Sequence, residues 1–285
     1  MILIADSGST KTDWILINDE GERLEKIKSI GFNPYFQNSD FIYQTLLGSF
    51  ESIQIFFDRI EKVFFYGAGC SSRENNEIVE NALVRLFPFA TIEVNHDMMA
   101  AARATLGQNQ GIACILGTGS NSAVWSGYEI LDNIPSYGYL FGDEGSGAYL
   151  GIALLKKYFS KSLSKELQVS FNEAFNYTDA EIIQRVYKGE NPNVFVASFA
   201  AFYSLHPNDD QLIEIIQGGF ELFFQSRVVR YDNYQKLPLG FVGSISFHLR
   251  EHLESVANMF GCHIKEVIKC PIDNLVDYHL TKEIS

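Results

Sequence analysis

Two stretches of the chain echo one another, and that echo limits the architecture more than any other feature. ILIADSGSTKTDW (2 to 14) and ACILGTGSNSAVW (113 to 125) align at an offset of 111, superposing Gly8 on Gly119, Ser9 on Ser120 and Trp14 on Trp125. Those are the only two tryptophans in the chain. Each copy reads as an apolar strand, a Gly-Ser turn and a returning strand. A repeat of this kind points to two related domains whose turns would face each other across a cleft. The second copy places Gly117 where the first has Asp6, so one acidic residue, not a pair, is expected at the two strand ends.

GSTKT resembles the tail of a Walker phosphate loop, but that loop needs glycines at positions 10 and 5, where Thr10 and Ala5 stand, and it feeds a helix. Here Trp14 to Ile17 is β-prone and Asn18 to Gly21 is a turn cluster. The segment is a hairpin whose N–H groups and hydroxyls suit an anion, or else a tight turn that needs Gly8 and nothing more.

Elsewhere strands alternate with helices, the pattern of an α/β fold. Strands are expected at 2–5, 12–17, 62–66, 91–95, 240–242 and 266–270. Helices are expected at 74–87, from Met98 onward, at 148–159, 179–187, 209–228 and 247–259, and at 272–280 after Pro271. Phe220, Phe223 and Phe224, at helical spacing, fit either core or a homodimer face, with core the simpler expectation.

Composition narrows the partners. The formal charge of -13, without a stripe of Lys and Arg, disfavours nucleic acid and anionic membrane surfaces. No apolar run approaches the roughly 18 residues of a membrane span, and Asp6 arrives too soon for a signal peptide, so a cytoplasmic protein is expected. Cys70, Cys114, Cys262 and Cys270 lack metal-ligand spacing and read as free thiols. His248 and His252, at i, i+4, read as a solvated helix face.

Three turns and one aspartate are the chemical candidates. Asp6 ends a strand before the first turn, where a carboxylate either holds a magnesium ion through water or braces the turn. Asp97 precedes a helix and by itself reads as an N-cap. Asp143 and Glu144 also precede a helix, whose dipole favours acidic residues. Gly243-Ser244, read alone, is a strand-to-helix turn.

Taken together, DSGSTKTDW, VNHDMMAAA, ILGTGSNS, GYLFGDEGSG and GFVGSI, in that order and spacing, resemble the superfamily of sugar kinases, heat-shock chaperone ATPases and actin. Within it the chain resembles, over essentially its whole length, the N-acetylglucosamine kinase and BadF/BadG/BcrA/BcrD ATPase family. The resemblance implies an α/β protein of two ribonuclease-H-like (actin-like ATPase) domains with a cleft between them. The first would span residues 1–110, joined by the terminal helix 272–285, and the second, with a helical insertion, residues 111–271.

It further implies ATP and Mg as cofactors and a small-molecule sugar as substrate. Gly8, Ser9, Thr10 and Lys11 match the first phosphate motif, with Asp6 as its magnesium-side carboxylate. Gly117, Thr118, Gly119, Ser120 and Asn121 match the second, and Gly243 with Ser244 the adenosine motif. Asp97 matches the general base that also meets the sugar, while Asn33, Gly142 and Asp143 fall where family members hold it. Ser7 departs from a more usual glycine, and the sequence around Asn33 is looser than in animal N-acetylglucosamine kinases. The activity implied is ATP-dependent phosphorylation of an amino sugar, N-acetylglucosamine at the 6-hydroxyl. The alternatives are an ATPase activator of a radical dehydratase or reductase, for which the cysteines are poorly placed, and a nucleotide-binding sensor without kinase activity.

Overall fold

The computed structural model describes the chain except Ser9, Ile284 and Ser285 and the side chains of Lys282 and Glu283. It divides into two compact units, Met1–Gly107 with Pro271–Ser285, and Gln108–Cys270.

In the first unit β1 (Ile2–Ser7), β2 (Lys11–Ile17), β3 (Arg23–Ile30), β4 (Lys62–Gly67) and β5 (Thr91–His96) form one sheet in the order β3-β2-β1-β4-β5. The first three strands run as an antiparallel meander, and β4 and β5 add parallel to β1. Parallel neighbours need crossovers. α1 (Ser39–Ser49) and a 3-10 segment (Glu51–Arg59) lead to β4, and α2 (Arg73–Leu86) leads to β5. α2 starts on Ser72, whose side chain accepts from the Asn75 amide, and stops before Pro88. α3 (Asp97–Leu106) follows β5 directly.

The buried aromatics Trp14, Phe50, Phe65 and Phe87 fill the space under this sheet, with Trp14 edge-on to Phe50 at 4.9 Å between ring centroids. The C-terminal helix, Ile272–Glu283, belongs to the same unit. Its buried His279 stacks on Phe64 at 3.8 Å, and His279 Nε2 lies 2.7 Å from the Tyr66 hydroxyl. Arg23 bonds Asp273 and Asp277 of that helix, and Asn274 donates to the carbonyl of Ala104.

The second unit repeats the plan. β6 (Gly111–Leu116), β7 (Ser120–Trp125), β8 (Ile130–Ile134), β9 (Leu239–Val242) and β10 (Ile264–Ile268) order as β10-β9-β6-β7-β8. β6 stands where β1 stands, antiparallel to β7 on one side and parallel to β9 on the other. Between β8 and β9 the chain inserts α4 (Gly147–Phe159), α5 (Lys165–Phe175), α6 (Asp179–Lys188), α7 (Pro192–Ser198) and α8 (Asp210–Ser226). Phe220, Phe223 and Phe224 of α8 are fully buried in this unit's core.

Three local features differ from the sequence reading. β3, with buried Ile27 among charged residues, is a mostly exposed strand whose pattern is too polar to announce itself. The helix expected over 247–259 is two, α9 (Ser244–His248) and α10 (Arg250–Met259), because the backbone leaves helical values at the buried Leu249. His248 and His252 therefore do not share one helix.

The third concerns the echo. In the first hairpin the Gly8 amide donates to the Lys11 carbonyl at 2.9 Å, leaving two residues at the tip. In the second the Gly117 amide donates to the Gly119 carbonyl at 3.0 Å, leaving one. Matching the turns by these closing bonds places Gly8 on Gly117 and Asp6 on Ile115, two residues away from the alignment by identity. The second strand end still carries no carboxylate.

Candidate active site

The first unit gathers most of the acidic chemistry at one edge of its sheet. Asp6 lies near the end of β1, paired across to Asp13 on β2, and Asp97 begins α3 at the end of β5. Parallel β1, β4 and β5 finish at the same edge, so the topology brings residues 91 apart in sequence within electrostatic reach. Asp6 is half-buried and its carboxylate makes no hydrogen bond among the described residues. Burial, then the charges of Asp97 and Asp13, push its carboxyl up to about 7, with Lys11 pulling the other way. Burial likewise pushes Asp97 up to about 6, against the amides of Met98 and Asp97 itself.

Asp97 is not the N-cap. That place is taken by His96, whose Nδ1 accepts from the Met98 amide at 3.2 Å. The bond leaves the ring proton on Nε2, and burial lowers the His96 pKa, keeping the ring neutral. The Asp97 carboxylate is thereby released from capping. Sequence reasoning assigned the cap to the better-known residue type and passed over its neighbour.

Around this pair stand the other first-unit candidates. Gly8 and Thr10 are exposed at the turn, and Ser9 lies outside the described residues. Lys11 Nζ sits 2.6 Å from Asp13 Oδ2, a buried carboxylate. Ser7 is fully buried with its hydroxyl turned to Thr12 and Phe32, away from the exposed face of the turn. Asn33 closes an Asx turn, its Oδ1 accepting from the Tyr35 amide at 3.1 Å. The carboxamide lies against Gly69, where φ is +82° and a Cβ would come within 2.5 Å of Asn33 Oδ1. A cavity of about 440 Å³ is lined by residues that follow Gly69 and precede Asp97, Ser71, Ser72, Asn76, Asn95 and His96 among them, while Asp97 and Asn33 themselves are not on its wall. Cys70, also on its wall, is pushed up to about 12 by burial and by Asp97.

The second unit gathers a different set. The carbonyls of Gly117 and Thr118 accept from the amides of Gly147 and Ala148 (2.8 and 3.0 Å), so the start of α4 holds the turn. The Ser120 amide donates to Asp143 Oδ1 at 3.0 Å, and Ser136 Oγ donates to the same oxygen. Asp143 is buried in a left-handed conformation, φ 58°. Among the described residues, the amides of Thr118 and Gly119 have no acceptor. They are the amides of this turn left without an acceptor, whereas the Ser120 amide is already used.

Gly243 closes on the same turn. Its φ is +130° and a Cβ there would lie 2.2 Å from the Leu116 carbonyl oxygen, so only glycine lets β9 pass this close to the end of β6. Ser244 starts α9 beside it. Gly142 stands apart from this cluster, on the wall of a cavity of about 750 Å³ with Tyr139, Phe141 and Glu144. Arg227, buried and unsuspected from sequence, holds the carbonyls of Ile134 and Pro135 and reaches Glu144. Among the described residues no three His, Cys, Asp or Glu side chains gather as a metal site, and no helix is long and apolar enough to cross a membrane.

No protein-family model matches the chain, and no curated protein does. Solved structures do. A Porphyromonas gingivalis protein named as a candidate N-acetylglucosamine kinase is 39% identical, with 99% of this chain and 100% of that one covered and a TM-score of 0.95. One of the same description from Chromobacterium violaceum is 17% identical over 97% and 98% of the two chains, TM-score 0.74. A ROK family glucokinase from Streptomyces griseus, in complex with glucose and AMPPNP, is 13% identical over 100% and 99%, TM-score 0.58. The last two share the fold. The first shares the sequence as well, end to end, and on that ground the chain belongs to the N-acetylglucosamine kinase family, within the superfamily of sugar kinases, chaperone ATPases and actin.

Proposed function

We propose that the protein transfers the γ-phosphoryl group of ATP to the 6-hydroxyl of N-acetylglucosamine. Its family makes it an ATP-dependent sugar kinase; the amino sugar and the position are the finer reading. One observation carries it: two carboxylates, Asp6 and Asp97, stand at one sheet edge within electrostatic reach of each other, and burial raises the pKa of both.

The two have different tasks. Asp97, freed from capping by His96, accepts the proton of the attacking hydroxyl as the new O–P bond forms and the bond to the β-phosphate oxygen breaks. Asp6, whose carboxylate has no hydrogen bond among the described residues, suits a divalent cation, which would relieve the burial and the repulsion by Asp97 and Asp13 that raise its pKa. A magnesium ion bound there would screen the phosphate charge. Asp97 and Asn33, with the cavity lined by Ser71, Asn95 and His96, offer the donors and acceptors that a sugar's hydroxyl and amide groups require.

In this reading phosphate contacts come from Gly8, Ser9, Thr10 and Lys11 of the first motif, and from the amides of Thr118 and Gly119 in the second. Gly243 and Ser244 receive the adenosine. Gly142 and Asp143 complete the sugar contacts in this reading, Asp143 through Oδ2, since Oδ1 is spent on Ser120 and Ser136.

ADP release measured across a panel of amino sugars and hexoses tests the proposal, with phosphorus NMR locating the phosphate. N-acetylglucosamine is expected to give the highest kcat/KM and a 6-phosphate product. A hexose without an N-acetyl group outrunning it would overturn the substrate assignment.

A further inference from the structure

The end of β1 carries a hydroxyl that the proposed chemistry does not use. The Phe32 amide donates to Ser7 Oγ at 3.0 Å, Ser7 Oγ lies 2.8 Å from Thr12 Oγ1, and Thr12 Oγ1 donates to the Ile30 carbonyl at 2.8 Å. The directions are fixed. Thr12 spends its one proton on Ile30, and an amide can only give, so the Ser7 proton runs to Thr12. The Phe32 carbonyl, 3.5 Å from Ser7 Oγ, is too distant to compete. Ser7, Thr12 and Phe32 are all fully buried, so water does not stand in for any of them.

Ser7 and Thr12 are the last registered pair before the first turn, one on each strand. The chain of bonds therefore fastens both shoulders of the turn to residues 30–32, the segment leading straight into Asn33. Asn33 is shaped by bonds within its own loop, to Tyr35 and to the Gln37 side chain, which do not tie that loop to the sheet. The hydroxyl chain does.

We infer that Ser7 is a positioning residue that sets the acceptor segment at Asn33 against the first phosphate turn and Asp6. The inference rests on reading Asn33 as a sugar contact. An apolar side chain would fill the same space but strand the Phe32 amide, and a buried amide without an acceptor drives its segment to shift. Linked hydroxyls also polarise one another, so the effect belongs to the chain of bonds and not to one of them.

The test uses the full chain with Ser7→Ala, Thr12→Val, the double variant and Thr12→Ser. Ser7→Ala is expected to raise the sugar KM about tenfold while kcat and the ATP KM stay within about twofold. The double variant should be no worse than Ser7→Ala, and Thr12→Ser should restore wild-type values. An unchanged sugar KM would overturn the inference, as would a fall in Vmax with both KM values intact, the mark of a smaller folded fraction. Hydrogen exchange without substrate reads the same contact independently of turnover. The amides of Phe32 and Asn33 should lose protection in Ser7→Ala while those of β4 keep it, and equal protection sinks the idea. Should wild type phosphorylate no sugar while exchange behaves as expected, the kinase reading fails and the hydroxyl chain stands. If Ser7→Ala does not fold, Thr12→Val carries both measurements.

Discussion

The turn after β1 and the turn after β6 sit at the same place in sheets of the same strand order, yet they treat negative charge in opposite ways. Around the first, burial raises the pKa values of Asp6 and Asp97 further than Lys11 and the amides at the start of α3 lower them. Around the second, the nearby carboxylate is Asp143, brought in from beyond β8 and spent on the Ser120 amide and the Ser136 hydroxyl. One copy of the plan keeps its charge available for chemistry and the other uses charge as a fastening. After duplication of a fold, catalysis and binding can thus be divided by where the carboxylates come from and what they are bonded to.

The sharpest way to break this contrast is to make the same substitution in both places. Asp97→Asn is expected to cut turnover by about 10² to 10⁴-fold while ATP affinity, measured by calorimetry, stays nearly intact. Asp143→Asn should leave the ATP KM within about twofold, because an amide oxygen still accepts from Ser120, while the sugar KM rises because the second oxygen becomes an NH2 group. Asp143→Ala should raise the ATP KM about fivefold by releasing the turn. Near-normal turnover in Asp97→Asn would remove it from the mechanism.

Acidity separates the two turns next. A base must be ionised, so kcat/KM for the sugar should fall about tenfold per pH unit below about 6, the folded pKa of Asp97. If Asp6 holds magnesium as proposed, protons compete for it, so the magnesium concentration needed for half-maximal rate should climb as pH drops below about 7. A flat profile between pH 5 and 8 would contradict both assignments.

The smallest effect is on stability. Folded pKa values above the unfolded 3.8 mean that the folded state holds extra protons between about 4 and 7, so each charge costs stability above that window and none below it. Asp6→Asn and Asp97→Asn should therefore raise the apparent melting temperature at pH 8, by no more than about 2–4 °C since both side chains keep some access to water. The gain should vanish by pH 4.

Much of the fold was legible because it is written in local signals. Short apolar runs ended by small residues marked the central strands, and Pro88 and Pro271 punctuated the helices. The paired hairpins stood out through Gly, Ser and two tryptophans, each fully buried. What was not legible is set by hydrogen bonds, not residue identity. The offset of 111 matches letters, while the closing bonds at Gly8 and Gly117 show turns of different length. No glycine or proline announces the break at Leu249, and β3 hides behind its charges. In the site, the Asp6 and Asp97 pairing could be suspected only from family likeness. The cap at His96 is local but falls to a residue type that capping preferences rank low, while the hydroxyl chain from Phe32 through Ser7 and the bonds of Arg227 join residues 25 and 93 apart in sequence, which no local rule reports.

The helix Ile272–Glu283 completes the first unit, although its residues are the last of that unit to be made. While the chain is being synthesised, the second unit, continuous in sequence, has all its parts before the first does. A ribosome-bound chain lacking residues 272–283 would leave Phe64 and Tyr66 without His279 and the Ala104 carbonyl without Asn274. The carboxylate pair thus sits on the unit whose parts are complete only after those of its neighbour.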